Sequence, residues 1–349
     1  MPKTALIAGA GGAASKRLIE TLLADPDWSV LALARTPRES AGRLTWIAAD
    51  LFDAEACARA LAEHRGVTHL FYTARAKHGE TGVESIEDNV AMLRNALDAV
   101  EPVATGLEHV HLVQGTKYYG MHLGPFRTPA REDDPRPNVP NFYYDQQDLL
   151  AQRQRGGWTW SASRPTFIYD LAPERARNAV NVIGAYAAIC RELGRPLDFP
   201  GSLASFDALR DMTDASLFAR AMKHIATVPA CRNEAFNVVN GDVFRWRELW
   251  PRIAGYFGIS AGDVRPFKMH EWVRDKHEVW IGIVRRYGLV KSQLDDIADW
   301  AFADFHWAHG YDVTSSATRL QQAGFTETID STQMLLDHLA RYRAAKILP

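Results

Sequence analysis

Over the first 170 positions, apolar residues come in short unbroken runs, and the stretches between them have helical period. Thr4–Ala8, Ser29–Ala34, Leu44–Asp50, Val67–Tyr72, His109–Val113 and Thr159–Arg164 each have the length and apolar content of a strand buried on both faces. Lys16–Leu23 and Phe52–Glu63 read as helices, and Ile86, Val90, Leu93, Leu97 and Val100 form one stripe of a further helix. This alternation predicts an α/β fold with a doubly wound parallel sheet. From Leu171 the rhythm breaks. Ala179–Leu193 reads as an apolar helix, Pro196–Pro200 as a short extended piece and Asp214–Ile225 as a helix. Glu234–Val239 reads as a strand returning to the sheet, Arg247–Phe257 as the helix after it, and the remainder from Met269 as mainly helical. The expected division is 1–170, with 234–257 returning to it, as a nucleotide-binding domain, and 171–233 with 258–349 as a smaller, mainly helical substrate domain.

Ligands in such sheets bind beyond the carboxyl ends of the strands. The first strand is followed by Gly9-Ala10-Gly11-Gly12-Ala13-Ala14-Ser15 and then a helix. In that context glycines let backbone N–H groups approach a pyrophosphate, and the helix N-terminus favours its charge. Gly9, Gly11, Gly12 and Ala13 are therefore read as cofactor-binding, in a Rossmann-type fold. Arg35 and Thr36 follow the second strand, where a carboxylate would bind the ribose of NAD and an Arg suits the 2′-phosphate of NADP. NADP(H) is the expected cofactor. Thr73 and Arg75, at the tip of the fourth strand, should face it. The spacing Gly9-x-x-Gly12-x-x-Ser15 resembles the glycine motif of the short-chain dehydrogenase/reductase superfamily, with Ser in the third place. That resemblance implies adenine-side contacts from Asp50 and Leu51, and a nicotinamide contact from the backbone at Ile168.

Asn141-Phe142-Tyr143-Tyr144 opens what reads as the helix carrying the superfamily's catalytic Tyr, but the Lys due four residues on is missing, and position 147 is Gln. A cation beside a phenol stabilises a phenolate or a developing enolate. Lys117, at the tip of the fifth strand, could bring one from another direction. Gly115-Thr116-Lys117-Tyr118-Tyr119, Gly124-Pro125-Phe126 and Asn141-Phe142-Tyr143-Tyr144-Asp145 resemble the progesterone 5β-reductase/iridoid synthase-like (PRISE) family, and further similar blocks run to Lys346-Ile347-Leu348-Pro349. The resemblance implies an ene-reductase: NADPH-dependent reduction of an α,β-unsaturated ketone or aldehyde, with hydride added to the β-carbon and the enolate held by Tyr143 and Lys117. It places Phe126 and Phe302 on opposite sides of the substrate. Three departures stand out: Arg75 where plant members have Trp, a single Arg35 where they have two basic residues, and Gln146-Gln147-Asp148 where they carry Leu-Glu-Asp. Arg75 is read as a substrate-side residue. Carbonyl reduction, epimerase or dehydratase chemistry, and a non-catalytic NADP(H) sensor remain open alternatives. The loop holding Pro125, Pro129, Pro135, Pro137 and Pro140 is a candidate lid.

Composition narrows the partners. With 40 basic and 42 acidic residues the chain lacks the charge of a general nucleic-acid or anionic-membrane binder. No apolar run approaches a membrane span, and the start carries no secretory pattern. Three widely spaced Cys point to a reducing compartment, so a soluble cytoplasmic enzyme of a small enone or enal is expected, with a homodimer left open. His109 and His111 share a strand face, but no third ligand sits at metal spacing.

Overall fold

A computed structural model describes residues 2–76, 84–154, 157–172 and 175–349. Strand β1 (Lys3–Ala8) alternates, as an extended chain must. Ala5 and Ile7 join a core on one side of the sheet, and Leu6 and Ala8 a core on the other. Six more strands behave alike: β2 (Trp28–Ala34), β3 (Leu44–Ala48), β4 (His69–Tyr72), β5 (His109–Val113), β6 (Thr159–Pro165) and β7 (Glu234–Val238). They form one parallel sheet in the order β7-β6-β5-β4-β1-β2-β3. Ala8 lies opposite Leu33 and Tyr72, Tyr72 opposite Leu112, and Ala34 opposite Ala48. Gly9, Arg35, Asp50, Thr73 and Gln114 therefore share one edge.

Helices α1 (Ala13–Leu23), α2 (Ala54–Leu61), α3 (Ile86–Val100) and α4 (Phe142–Arg153) follow strands β1, β3, β4 and β5. Leu61, Leu93, Leu97 and Leu150 cover one face of the sheet. Leu18 and Leu22 of α1 cover the other. There they meet Leu217, Phe218, Met222 and Ile225 of a helix drawn from the second half of the chain. In the second half, α5 (Ala179–Glu192), α6 (Ala215–Thr227), α7 (Trp246–Tyr256), α8 (His277–Tyr287), α9 (Trp300–Trp307) and α10 (Ser331–Ala344) are the long helices.

Two placements differ from the sequence reading. Helix α6, expected among the substrate-side pieces, packs on the sheet. Of the stretch 234–257, only β7 enters the sheet. Trp246, Leu249, Trp250 and Ile253 of α7 belong to the separate aromatic core of the helical half. Amphipathicity says that a face is buried, not against what.

The sheet face under α6 carries buried polar side chains. His109 bonds Thr159 and Ser161 at 2.8 and 2.7 Å, and His111 bonds Ser161 and Ser163 at 2.8 and 2.9 Å. Burial pushes His111 down to about 3, so the ladder is neutral and hydrogen-bonded, as buried polar groups must be.

Candidate active site

The glycine turn is built for a close approach. Gly9 has φ +91°, and a Cβ there would lie 2.7 Å from the backbone N and Cα of Ala74, so only glycine fits. Ser15, in the place of the third glycine, is fully buried. Its hydroxyl donates to Gly9 O at 3.0 Å and lies 2.8 Å from Thr73 Oγ1, while Thr73 Oγ1 also donates to Ala8 O. Serine here laces the turn to the tip of β4. No side chain caps α1, and no acid lies in its first turn, which leaves its N-terminal N–H groups to an anion.

A cleft of about 850 Å³ runs from this turn, lined by Gly9, Gly11, Gly12, Arg35, Thr36, Arg38, Trp46, Asp50, Leu51, Thr73 and Arg75, with Arg175 and Arg177 from the far side. The structure thus brings most of the expected cofactor residues together. Ala13 begins α1. The guanidinium of Arg38 lies over Trp46, 5.5 Å from its ring centre, beside Arg35. Asp50 accepts from Phe52 N at 3.1 Å, which fixes its carboxylate at the end of β3. Arg175 donates to Gly11 O. Ile168 is not on this cleft: its side chain packs with the sheet core and its backbone pairs with Thr213.

Tyr143 sits in the first turn of α4. Asn141 caps that helix by accepting from Tyr143 N at 3.1 Å, and its amide donates to Lys117 O at 2.9 Å. Gln114 donates to Tyr143 O at 2.8 Å, and the Tyr144 hydroxyl donates to Tyr118 O at 2.7 Å. The tip of β5 and the start of α4 are thereby stapled together. A Cβ on Gly115 would come within 3.3 Å of the Tyr143 hydroxyl. Burial pushes the Tyr143 phenol up to about 12, opposed by the charge and hydrogen bonding of Arg75.

The charges around Tyr143 are arranged differently from the expected Tyr–Lys pair. Lys117 Nζ lies 2.9 Å from Glu84 Oε2, and Arg75 Nη1 lies 3.1 Å from Glu84 Oε1. Among the described residues no hydrogen bond joins Lys117 to Tyr143. Nothing local in the sequence marks Glu84, an acid 33 positions before its lysine.

Where the lysine of the ordinary motif would stand, Gln147 accepts from Arg164 Nη2 at 3.0 Å. Arg164 is almost wholly buried. It also donates to Gln114 at 2.9 Å and Tyr119 at 2.9 Å, and stacks 3.3 Å over the Tyr118 ring. Gln146 donates to Asn89 O at 2.8 Å, and Asp148 takes a bidentate pair from Arg136 at 2.8 Å.

Phe126 packs on the cluster of Tyr118, Phe142, Tyr143 and Tyr144. Phe302, in α9, packs instead against Phe167 and His306, with Arg177 4.9 Å over its ring. The two phenylalanines thus belong to different aromatic clusters. The proline-rich loop read as a lid is tethered. Asn237 N donates to Glu132 at 2.8 Å, the Asn237 side chain donates to Ala130 O, and Arg136 holds Tyr118 and Asp148. No described helix is long and apolar enough to cross a membrane.

Residues 47–349 match the family described as a PRISE-like Rossmann-fold domain. The chain is 34% identical to a short chain dehydrogenase, gsfE, of Penicillium aethiopicum over 100% of both proteins. It is 34% identical to the (S)-8-oxocitronellyl enol synthase ISY1 of Nepeta cataria, over 99% of this chain and 93% of that one. It is 35% identical to the 3-oxo-Delta(4,5)-steroid 5-beta-reductase of Arabidopsis thaliana, with the same coverage of 99% and 93%. Among solved structures, Bordetella bronchiseptica WbmG in complex with NAD superposes with TM-score 0.68 at 18% identity, covering 100% of this chain and 96% of that one. Pseudomonas aeruginosa RMD complexed with NADPH gives 0.67 at 16%, covering 99% and 98%. At such identities the structural likeness establishes the fold alone.

Proposed function

The chain belongs to the PRISE-like Rossmann-fold family, and from that premise we propose that it is an NADPH-dependent ene-reductase of small α,β-unsaturated ketones or aldehydes. The observation that carries the reading is a buried phenol, Tyr143, under the charge of Arg75, which also lines a cleft of about 850 Å³ running from the glycine turn. One relative is named as a reductase of a 3-oxo-Delta(4,5)-steroid, a carbonyl conjugated to a C=C bond, and another as an enol synthase, which supports it.

The bound nicotinamide would supply the hydride to the β-carbon. Gly9, Gly11, Gly12 and the first turn of α1 would hold the pyrophosphate, Asp50 and Leu51 would flank the adenine, and Arg35 and Thr36 would take the 2′-phosphate; all but the helix turn line the cleft. Tyr143 donates a hydrogen bond to the carbonyl oxygen as negative charge gathers there. Burial keeps the phenol protonated near neutral pH, so it is a donor when needed. The α-carbon takes its proton from water, which spares Tyr143 a full proton transfer. Lys117 contributes positive charge through the Glu84 bridge. Phe126 and Phe302 are the proposed walls for a flat substrate.

The test is NADPH consumption against a panel of enones and enals with products identified. Saturated ketones or aldehydes are expected. Allylic alcohols would mean carbonyl reduction, and tight NADPH binding with no turnover across the panel would mean a non-catalytic role.

Cofactor choice is separately testable. Arg35 is exposed at the end of β2 and faces the cleft. Arg35→Ala should weaken NADPH binding about tenfold by losing a charge-assisted phosphate contact, with NADH affinity nearly unchanged. Equal loss for both cofactors, read by nucleotide fluorescence titration, would remove Arg35 from phosphate recognition.

A further inference from the structure

Part of the cofactor cleft comes from the second half of the chain. Arg175 and Arg177 line the same cleft as Gly9, Gly11 and Gly12. The Arg175 guanidinium donates to Gly11 O, which places it on the glycine turn, where backbone N–H groups are offered to a pyrophosphate. A guanidinium presents five N–H donors in a planar fork, so it can serve a carbonyl and a phosphate together, and phosphate suits its bidentate geometry.

Residues 175–178 form a strap whose backbone is tied on several sides. Asn178 caps α5 by accepting from Val180 N at 2.8 Å, and its amide donates to Asp170 O at 3.0 Å. Asp170 is held to α1 by Arg17 at 2.8 Å. Asn181, fully buried in α5, donates to Arg175 O at 2.8 Å and to Ile297 O at 2.7 Å. Asp299 N donates to Ala176 O at 2.9 Å. Arg177 Nη1 lies 3.6 Å from one oxygen of Asp299, and the other oxygen accepts from Phe302 N at 2.9 Å, capping α9. The Arg177 guanidinium also lies 4.9 Å over the Phe302 ring. The strap thus touches the glycine turn through Arg175 and the start of α9 through Ala176 and Arg177. Groups held in place before a ligand arrives bind it at lower entropic cost.

We propose that the strap is the second jaw of the cofactor site: Arg175 holds the pyrophosphate against the glycine turn, and Arg177, through Asp299, passes that hold to the helix carrying Phe302. Arg175 is then a binding residue, and Arg177 and Asp299 are positioning residues. Such a coupling is reciprocal, so the cofactor tightens the enone and the enone tightens the cofactor by the same factor. The phosphate contact rests on the cleft's being a dinucleotide site, and only the link to Phe302 rests on the ene-reductase reading.

Fluorescence titration of the full chain with NADPH and with NADH tests the phosphate contact. The pyrophosphate is common to both, so Arg175→Met should weaken both about tenfold, unlike Arg35→Ala, and Arg175→Lys should recover part of the loss. A loss confined to NADPH would overturn the contact, and so would unchanged affinity for both, even with a lowered Tm. The link is read by calorimetry with NADP⁺ and an enone that the unmodified chain reduces, a pair that binds without turnover. Asp299→Asn keeps a capping oxygen for α9 and removes the charge that Arg177 faces. NADP⁺ should tighten enone binding about fivefold in the unmodified chain and less than about twofold in the variant. Equal tightening in both, or none in the unmodified chain, would overturn the link. If the unmodified chain bound both dinucleotides and reduced no enone, the functional reading would fall and the link with it, and the Arg175 titrations would still decide the phosphate contact.

Discussion

Tyr143→Phe should lower kcat for enone reduction by about 10²- to 10³-fold while leaving NADPH affinity within about twofold, the cost of removing one well-placed donor to a developing oxyanion. The separation of the two effects follows from the geometry. Tyr143 belongs to the aromatic cluster with Phe142, whose ring centre is 4.3 Å away, and phenylalanine keeps that packing. The backbone of residue 143 is held by Asn141 and Gln114, neither of which needs the hydroxyl. The glycine turn and the Arg35 end of the cleft are untouched. What is lost is one O–H beside Gly115, where nothing larger than hydrogen stands between it and the strand tip.

The same burial sets the pH dependence. A phenol pushed up to about 12 stays protonated across the working range, so Tyr143 should contribute no inflection to kcat below about pH 9. The sign for stability is the opposite of a paired carboxylate's. The unfolded chain ionises this phenol first, near its ordinary value of about 10, so the folded state loses stability as pH rises beyond that point and none below it. Single-turnover rates with NADPH, beside fluorescence titration of the cofactor, check the prediction, and an unchanged rate in the variant would take Tyr143 out of the chemistry.

The parts of the fold read correctly from sequence are those decided by near neighbours. Unbroken apolar runs such as Ser29–Ala34 bury both faces whatever lies beyond them, and Trp28–Ala34 is the observed strand. Gly9 announces its turn because a strand precedes it and a helix follows. Helices α6 and α7 both present apolar faces, and only the three-dimensional path tells that α6 covers the sheet and α7 the helical core. The site shows the same limit. Tyr143 was legible through its motif, and Lys117 through its place at a strand tip. The Glu84 bridge joins residues 9 and 33 positions apart with no periodic signal. The Gln146-Gln147-Asp148 departure had no meaning in the sequence. In the structure its members reach Asn89, Arg164 and Arg136 respectively, three separate tertiary partners.

Gln147→Lys, which restores the lysine of the ordinary Tyr-x-x-x-Lys motif, should therefore damage the enzyme. In place of an acceptor 3.0 Å from Arg164 Nη2 it would set a second cation. Two unit charges about 4 Å apart repel by about 4 kcal/mol at an effective dielectric near 20, and the half-buried position lets solvent relieve part of that, leaving about 2 kcal/mol. For a chain of this size that corresponds to a Tm lower by about 3 °C. The injury would not stay local. Arg164 also donates to Gln114, and Gln114 donates to the carbonyl of Tyr143, so displacing the guanidinium loosens the hold on the reactive phenol. A fall in kcat of about tenfold should accompany the lost stability, consistent with the cost of misplacing a catalytic group by a fraction of an ångström. Thermal unfolding and enone turnover of the purified variant decide the matter: a protein as stable as its parent and more active would mean that the lysine's place had been kept open. Arg164, stacked on Tyr118 and bonded to Gln114, Tyr119 and Gln147, indicates instead that the space has been closed by a cation already there.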